Sequence, residues 1–153
     1  MSVKEKLSAL GLTLPTAAAP VAAYVPAVKS GNLVFTAGQL PVVDGKLLKE
    51  GKVGSDVTAE DAKELAQICT LNALAAISLV ADLDQIERVV RVGGFVNCAP
   101  GFVAIPAVIN GASEFLISLF GDVNGKHART AVGVAELPLN SPVEIELLVK
   151  LAN

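Results

Sequence analysis

The sequence predicts an α+β fold, a mixed sheet with two main helices packed on one of its faces. Three observations carry that prediction. Segments of strand-like and helix-like hydrophobic period follow one another as strands, helix, strand, helix, strand pair. The last segment, Val143–Leu151, alternates cleanly: Val143, Ile145, Leu147, Val149 and Leu151 share the face turned to the helices, while Glu144, Glu146, Leu148 and Lys150 share the other. Composition is the third, since 52% of the 153 residues are hydrophobic, 18% charged and 4% aromatic. A chain of this length is expected to form one domain over residues 1–153, with residues 1–20 as an N-terminal helix and connector. The apolar surplus implies that another subunit covers part of the surface, because a small monomer rarely exposes a large apolar patch.

In chain order, Ser2–Leu10 reads as a short helix stopped by Gly11. Residues 13–23 form a connector rich in proline and alanine that leads to Tyr24. Val25–Val28 and Asn32–Leu40 read as strands turning at Ser30-Gly31, and Asp44-Gly45 between Val42-Val43 and Leu47-Leu48 is a two-residue hairpin signal. Thr58 is a natural N-cap with Asp61 three residues on, and Glu60, Asp61 and Glu64 sit where the helix dipole favours negative charge. Leu65, Cys69, Ala76, Leu79 and Leu83 then recur at helical spacing, with Ile68, Leu71 and Ala75 widening the stripe. Val89–Val96 reads as a strand in which Gly93-Gly94 marks a bulge or a close backbone approach. Phe102–Phe120 is the second main helix, with Pro106 in its first turn, where proline is tolerated. The turn Gly121–Lys126 delivers His127-Ala128-Arg129, and strands Thr130–Leu137 and Val143–Leu151, joined by Pro138–Pro142, close the chain as a pair.

Charge and cysteine usage narrow the function. A net charge of −3 and the lack of any three-residue Lys/Arg run argue against nucleic-acid binding, which relies on a basic face. Cys69 and Cys98 lie far apart and His127 is the sole histidine, so neither a metal site nor a disulfide framework is expected. Two buried thiols in a reducing compartment fit that pattern better. The N-terminus lacks the apolar run of a signal peptide, and Leu65–Ala81 is too short and polar to span a membrane. A cytoplasmic protein with no membrane association is the expectation.

Arg129 stands out because it starts a strand straight after a glycine-bearing turn, where a guanidinium can present a planar fork to a carboxylate or phosphate. On spacing alone, a surface arginine in a salt bridge is the plainer explanation. His127 reads more readily as a loop histidine than as a base, and Glu144 as a solvated carboxylate unless something covers its face. Gly38, within Thr36-Ala37-Gly38-Gln39, marks either a bulge or a point where backbone amides face a ligand.

These residues also carry a resemblance. Residues 32–41, NLVFTAGQLP, resemble the TSGQ-P strand of the Rid family of reactive intermediate deaminases, also called YjgF or L-PSP. Residues 127–138, HARTAVGVAELP, followed by VEIE at 143–146, resemble that family's C-terminal signature. Tyr24 and Asn110 fall where a Tyr and an Asn of RidA-like members align. The likeness runs from about Pro20 to the end and is greatest with the longer branch labelled endoribonuclease or chorismate-mutase-like. It implies a homotrimer of chorismate-mutase-like fold, with sites between subunits for a small carboxylate or imino acid. It also implies hydrolysis of 2-imino acids to 2-oxo acids and ammonia. By position, Arg129 would hold the substrate carboxylate and Glu144 would position or activate the water, while Tyr24, Ala37, Gly38 and Asn110 would line the pocket. No metal or cofactor is implied: an imine carbon is already electrophilic, and a fixed cation with a carboxylate-steered water suffices. Ala37 stands where many members carry Ser and Ala131 where RidA-like members carry Cys, so the pocket loses a hydroxyl and a thiol.

The expected terminal hairpin adds a geometric reason for a shared site. If Leu137 pairs with Val143, Glu144 lies opposite Glu136, seven positions from Arg129. At about 3.3 Å per residue the two are roughly 20 Å or more apart in one chain. They act on one small substrate only from neighbouring subunits. Two other functions use the same chain differently. One is a non-catalytic binder or sensor of small carboxylates. The other is an RNA-cleaving enzyme, which the acidic balance, single histidine and missing aromatic–basic patch support poorly. Chorismate mutase activity follows from fold analogy alone, and fold does not fix function.

Overall fold

The first helix, α1 (Val3–Ala9), starts where Ser2 and Glu5 cap each other: the Glu5 amide donates to the Ser2 hydroxyl at 3.1 Å and the Ser2 amide to the Glu5 carboxylate at 2.7 Å. The computed structural model describes residues 1–19 and 22–153; Pro20 and Val21, part of the predicted connector and of the stretch that carries the resemblance, lie outside the described residues. Strands β1 (Ala27–Ser30) and β2 (Leu33–Thr36) form the first antiparallel pair. The strand expected to run to Leu40 stops at Thr36, because the Thr36 hydroxyl accepts the Leu147 amide at 2.9 Å where a ladder carbonyl would continue. A ribbon of β3 (Val42–Val43) and β4 (Lys46–Leu47) turns at Asp44 and Gly45, with φ of 50° and 77°, the left-handed pair such a two-residue turn needs.

Helix α2 (Ala59–Ile77) begins where the Thr58 hydroxyl accepts the Asp61 amide at 3.1 Å. Asp61 does not reach back to complete a capping box; its carboxylate pairs with Lys49. The helix ends at Ile77, short of the expected Leu83, because Asp82 caps a separate 3-10 turn over Leu83–Gln85 by accepting the Asp84 amide at 3.0 Å. Leu79 is left exposed in the break. The chain then runs through β5 (Ile86–Asn97), α3 (Ile105–Asn124), β6 (Ala128–Val134) and β7 (Val143–Leu151).

The sheet order is β1-β2-β7-β5-β6, with β5 and β6 parallel and the other neighbours antiparallel. The predicted terminal pair therefore does not form: β5 lies between its two members. The reason is the crossover. Helix α3 carries the chain back to the end of the sheet where β5 began, so β6 must run parallel to β5. Residues 135–142 then reverse direction, and β7 takes the other side of β5.

Helices α2 and α3 pack together on the sheet face that holds Val92, Val96, Ile145 and Val149, all fully buried. Two glycines set the closeness of that packing. A Cβ on Gly111 would lie 1.9 Å from the Lys63 carbonyl oxygen, so α3 meets the backbone of α2. A Cβ on Gly94 would lie 2.6 Å from Ile109 Cδ1, and one on its neighbour Gly93 would lie 2.5 Å from Glu146 Cγ across the sheet. Gly93-Gly94 is thus a close approach on both faces; the irregular registers of β5 fall earlier, between Ile86 and Arg91. The face away from the helices exposes Val28, Phe35 and Val132 by 51%, 45% and 38%. Among the described residues, no helix is long and apolar enough to cross a membrane.

Candidate functional site

Arg129 is the second residue of β6, the outer strand, in register with buried Val92. Paired residues on adjacent strands point to the same face, so its side chain rises on the helix side at the sheet margin. There α3 receives it. Nη1 donates to Asn110 Oδ1 at 2.8 Å and to Ser113 Oγ at 3.1 Å, and Nη2 donates to the Pro106 carbonyl at 3.3 Å. Asn110 and Ser113 stand three positions apart, one turn of α3, and so share the face turned to β6. These bonds use three of the five guanidinium donors. Nε–H and the second Nη2–H have no hydrogen-bond partner among the described residues, and side by side they form a fork that fits a carboxylate. Among those residues no carboxylate pairs with Arg129, so the salt-bridge explanation does not hold.

His127, half-buried, adjoins this anchor: its Nε2 lies 3.0 Å from Ser113 Oγ and its Nδ1 lies 2.6 Å from the Gly125 carbonyl. Burial lowers its pKa below the ordinary histidine value, and the nearby Arg129 charge adds to that, against the opposing Gly125 hydrogen bond.

Glu144 belongs to a second cluster. It sits on β7 in register with Phe95, on the face turned away from the helices. Gly38 lies directly against it, since a Cβ there would fall 1.9 Å from Glu144 Oε1. Paired backbone bonds between Gln39 and Ile145, at 2.8 and 3.0 Å, hold that approach. Burial raises the Glu144 pKa above the usual carboxylate value, and the neighbouring Glu146 charge raises it further. Gly38 and half-exposed Tyr24 also line a cavity of about 570 Å³, together with Asn72 and Leu139. Asn72 shapes its wall by donating to the carbonyls of Leu40 and Val42, both at 2.9 Å. Ala37 is not part of that lining; its amide donates to the Pro26 carbonyl at 2.8 Å and ties the segment to the chain after Tyr24.

The fold therefore joins Arg129 with Asn110, and Gly38 with both Glu144 and Tyr24, but keeps the two clusters apart. Arg129 and Glu144 are two strands apart and three residues apart along β5. That puts their backbones about 14 Å from each other, with their side chains on opposite faces. The 20 Å expected from a terminal hairpin is corrected, and the barrier is the sheet itself. Ser113 and the Pro106 carbonyl were not read from the sequence as parts of the anchor. Their one signal is the pair of uncharged polar residues, Asn110 and Ser113, one helical turn apart in a mainly apolar stretch.

The sequence profile of the YjgF/chorismate mutase-like, putative endoribonuclease family matches residues 4–151. Protein TCP17 of Trypanosoma cruzi is 41% identical over 152 residues, 99% of this chain and 95% of its own length. A 2-iminobutanoate/2-iminopropanoate deaminase of Dermatophagoides farinae is 33% identical over 138 residues, 90% of this chain and 93% of its own. Among solved structures, the Agrobacterium tumefaciens protein Atu1372, of unknown function, matches with a TM-score of 0.88 and 43% identity, covering 98% of this chain and 92% of its own.

Proposed function

Because this chain belongs to the YjgF/chorismate mutase-like family, which includes 2-iminobutanoate/2-iminopropanoate deaminases, we propose that it hydrolyses reactive 2-imino and enamine acids to 2-oxo acids and ammonia at sites shared between the subunits of a homotrimer. One observation carries the reading: the two clusters lie on opposite faces of one sheet. An anchored arginine with two donors that have no partner among the described residues sits on one side and a half-buried glutamate on the other, so a small acid reaches both only across a subunit boundary. The free thiols Cys69 and Cys98 fit a reducing compartment, which supports the cytoplasm as its location.

In this reading the substrate carboxylate takes the outward Nε–H and Nη2–H of Arg129, which fixes the imine carbon against the other cluster. There Glu144 of the partner subunit accepts a proton from water as the water oxygen bonds to the iminium carbon and the C=N π pair moves to nitrogen. That proton passes to the amine, the C–N bond breaks and ammonia leaves, while Glu144 accepts the remaining hydroxyl proton and the O–H pair closes the carbonyl. A carboxylate whose pKa burial has raised suits a group that must both take and return a proton. Tyr24 and Gly38 line the chamber, and Asn110 holds the anchor.

Purified protein is expected to accelerate the loss of a freshly generated 2-imino acid, and Arg129→Ala to lower kcat/KM by about a hundredfold or more. Equal rates for variant and wild type would remove the assigned role. A second reading has one observation in its favour. Ala131, two residues beyond Arg129 on the same face, is in register with Gly94, so no polar group stands there to assist turnover. The same pocket would then bind a 2-oxo acid as a sensor does. Calorimetry showing Arg129-dependent binding with no rate enhancement selects that reading.

A further inference from the structure

The Arg129 anchor does not end at Ser113. It continues to His127 and stops on a backbone carbonyl, and with a neutral imidazole between them the chemistry of the two ends fixes the direction of every hydrogen bond. A guanidinium can only donate and a carbonyl can only accept. The Gly125 carbonyl, 2.6 Å from Nδ1, therefore requires the proton on Nδ1. In the neutral ring Nε2 is then an acceptor, and it draws the Ser113 hydroxyl hydrogen across 3.0 Å. With its hydrogen committed, Ser113 Oγ faces Arg129 Nη1 with a lone pair at 3.1 Å.

The carbonyl that ends the chain is itself held. Gly125 is buried, its amide donates to the Gly121 carbonyl at 2.8 Å, and a Cβ there would lie 2.7 Å from the Leu116 carbonyl oxygen. The turn is pressed against α3, so its carbonyl cannot swing. Burial, aided by the Arg129 charge and against the Gly125 hydrogen bond, lowers the pKa of the ring and so favours the neutral form the chain requires.

We propose that Ser113 and His127 are positioning residues. The directed chain from Arg129 Nη1–H through Ser113 and His127 to the Gly125 carbonyl locks the guanidinium about its Cζ–Nε bond, so that its Nε–Nη2 edge faces the ligand. Cut at His127, the Ser113 hydroxyl turns to a carbonyl one helical turn back, as a mid-helix serine does, and Arg129 keeps Asn110 as its sole side-chain partner. The proposal rests on the reading of Arg129 as the carboxylate anchor, but its own signature exists without any ligand.

The test is nitrogen-15 NMR of the full-length protein, with the Arg129 signals assigned by comparison with Arg129→Lys. Wild type should show His127 as the Nδ1–H tautomer and separate, slowly exchanging Nη1 and Nη2 signals for Arg129. Ser113→Ala and His127→Leu should each average the two Nη signals, and the double variant should do no more than either single one. Ser113→Thr and His127→Gln, which keep a hydroxyl and an acceptor near the same points, should restore them in part. Pyruvate binding by calorimetry should weaken about tenfold in Ser113→Ala and His127→Leu, as loss of a bond to a charged group implies. Unaltered Nη signals in His127→Leu, or an Nε2–H tautomer in wild type, would overturn the proposal. Averaged signals in a protein that turns over no 2-imino acid uphold the positioning role and defeat the proposed function instead.

Discussion

Glu144 and Glu146 each lie against a glycine of a neighbouring segment, Gly38 and Gly93, whose missing side chains let the carboxylates fold down. This sets the pH behaviour. In the proposed role Glu144 acts as a base only when ionised, and burial, then the Glu146 charge, raises its pKa above the ordinary 4.5. The kcat/KM profile should therefore fall on the acid side through a limb above that value. Glu146→Gln removes the like charge and should move the limb to lower pH. A profile unmoved by Glu146→Gln would separate the limb from Glu144. The alternation of Val143–Leu151 assigns Glu144 to its face without ambiguity, but it does not show that the face is partly covered. Coverage by Gly38 is a contact over a hundred positions away in the chain, and no local pattern encodes it. Arg129 differs: the turn before it and the family-like signature both pointed to it, and the same likeness pointed to Asn110, while Ser113 was visible only as a polar position one helical turn beyond it.

At the scale of elements, α3 is the platform of the anchor, and its seating depends on Gly111. Gly111→Ala has higher intrinsic helix propensity by about 1 kcal/mol. The added Cβ, however, would stand 1.9 Å from the Lys63 carbonyl oxygen, a backbone atom that cannot step aside. Overpacking of this kind costs typically about 1–3 kcal/mol. The helices should part, carrying Asn110 and Ser113 away from β6, so a lower Tm in thermal melts and weaker pyruvate binding should appear together. A stabilised variant with intact binding would contradict this seating. The helices and short hairpins were legible because their signals are local: Thr58 as a cap, Asp44-Gly45 as a turn, Pro106 in a first turn. The pairing of β6 with β7 was misread for the opposite reason. Two strands consecutive in sequence invite a hairpin, but the order depends on which neighbour β5 takes on each edge. The clue lay in β5 itself, whose run from Val89 to Val96 does not alternate cleanly, as befits a strand paired on both edges with two glycines in its middle.

At the scale of the molecule, the face away from the helices leaves Val28, Phe35 and Val132 open to solvent, in a chain with an apolar surplus. Residues of that kind on one sheet face suit cover by further copies of the chain. The division of the site points the same way, with the arginine at the outer strand and the glutamate two strands inward on the other face. A ring of identical head-to-tail contacts gives every subunit one anchor to offer and one base to offer. The most direct measurement mixes two variants. Arg129→Ala and Glu144→Gln, each expected to retain at most about a hundredth of the deaminase activity alone, are unfolded together, refolded at equal amounts and assayed with a 2-imino acid. Random assembly places an intact arginine against an intact glutamate at about a quarter of the interfaces of such a ring. The account predicts recovery of roughly that share of wild-type activity; a refolded mixture as inactive as either variant would contradict it.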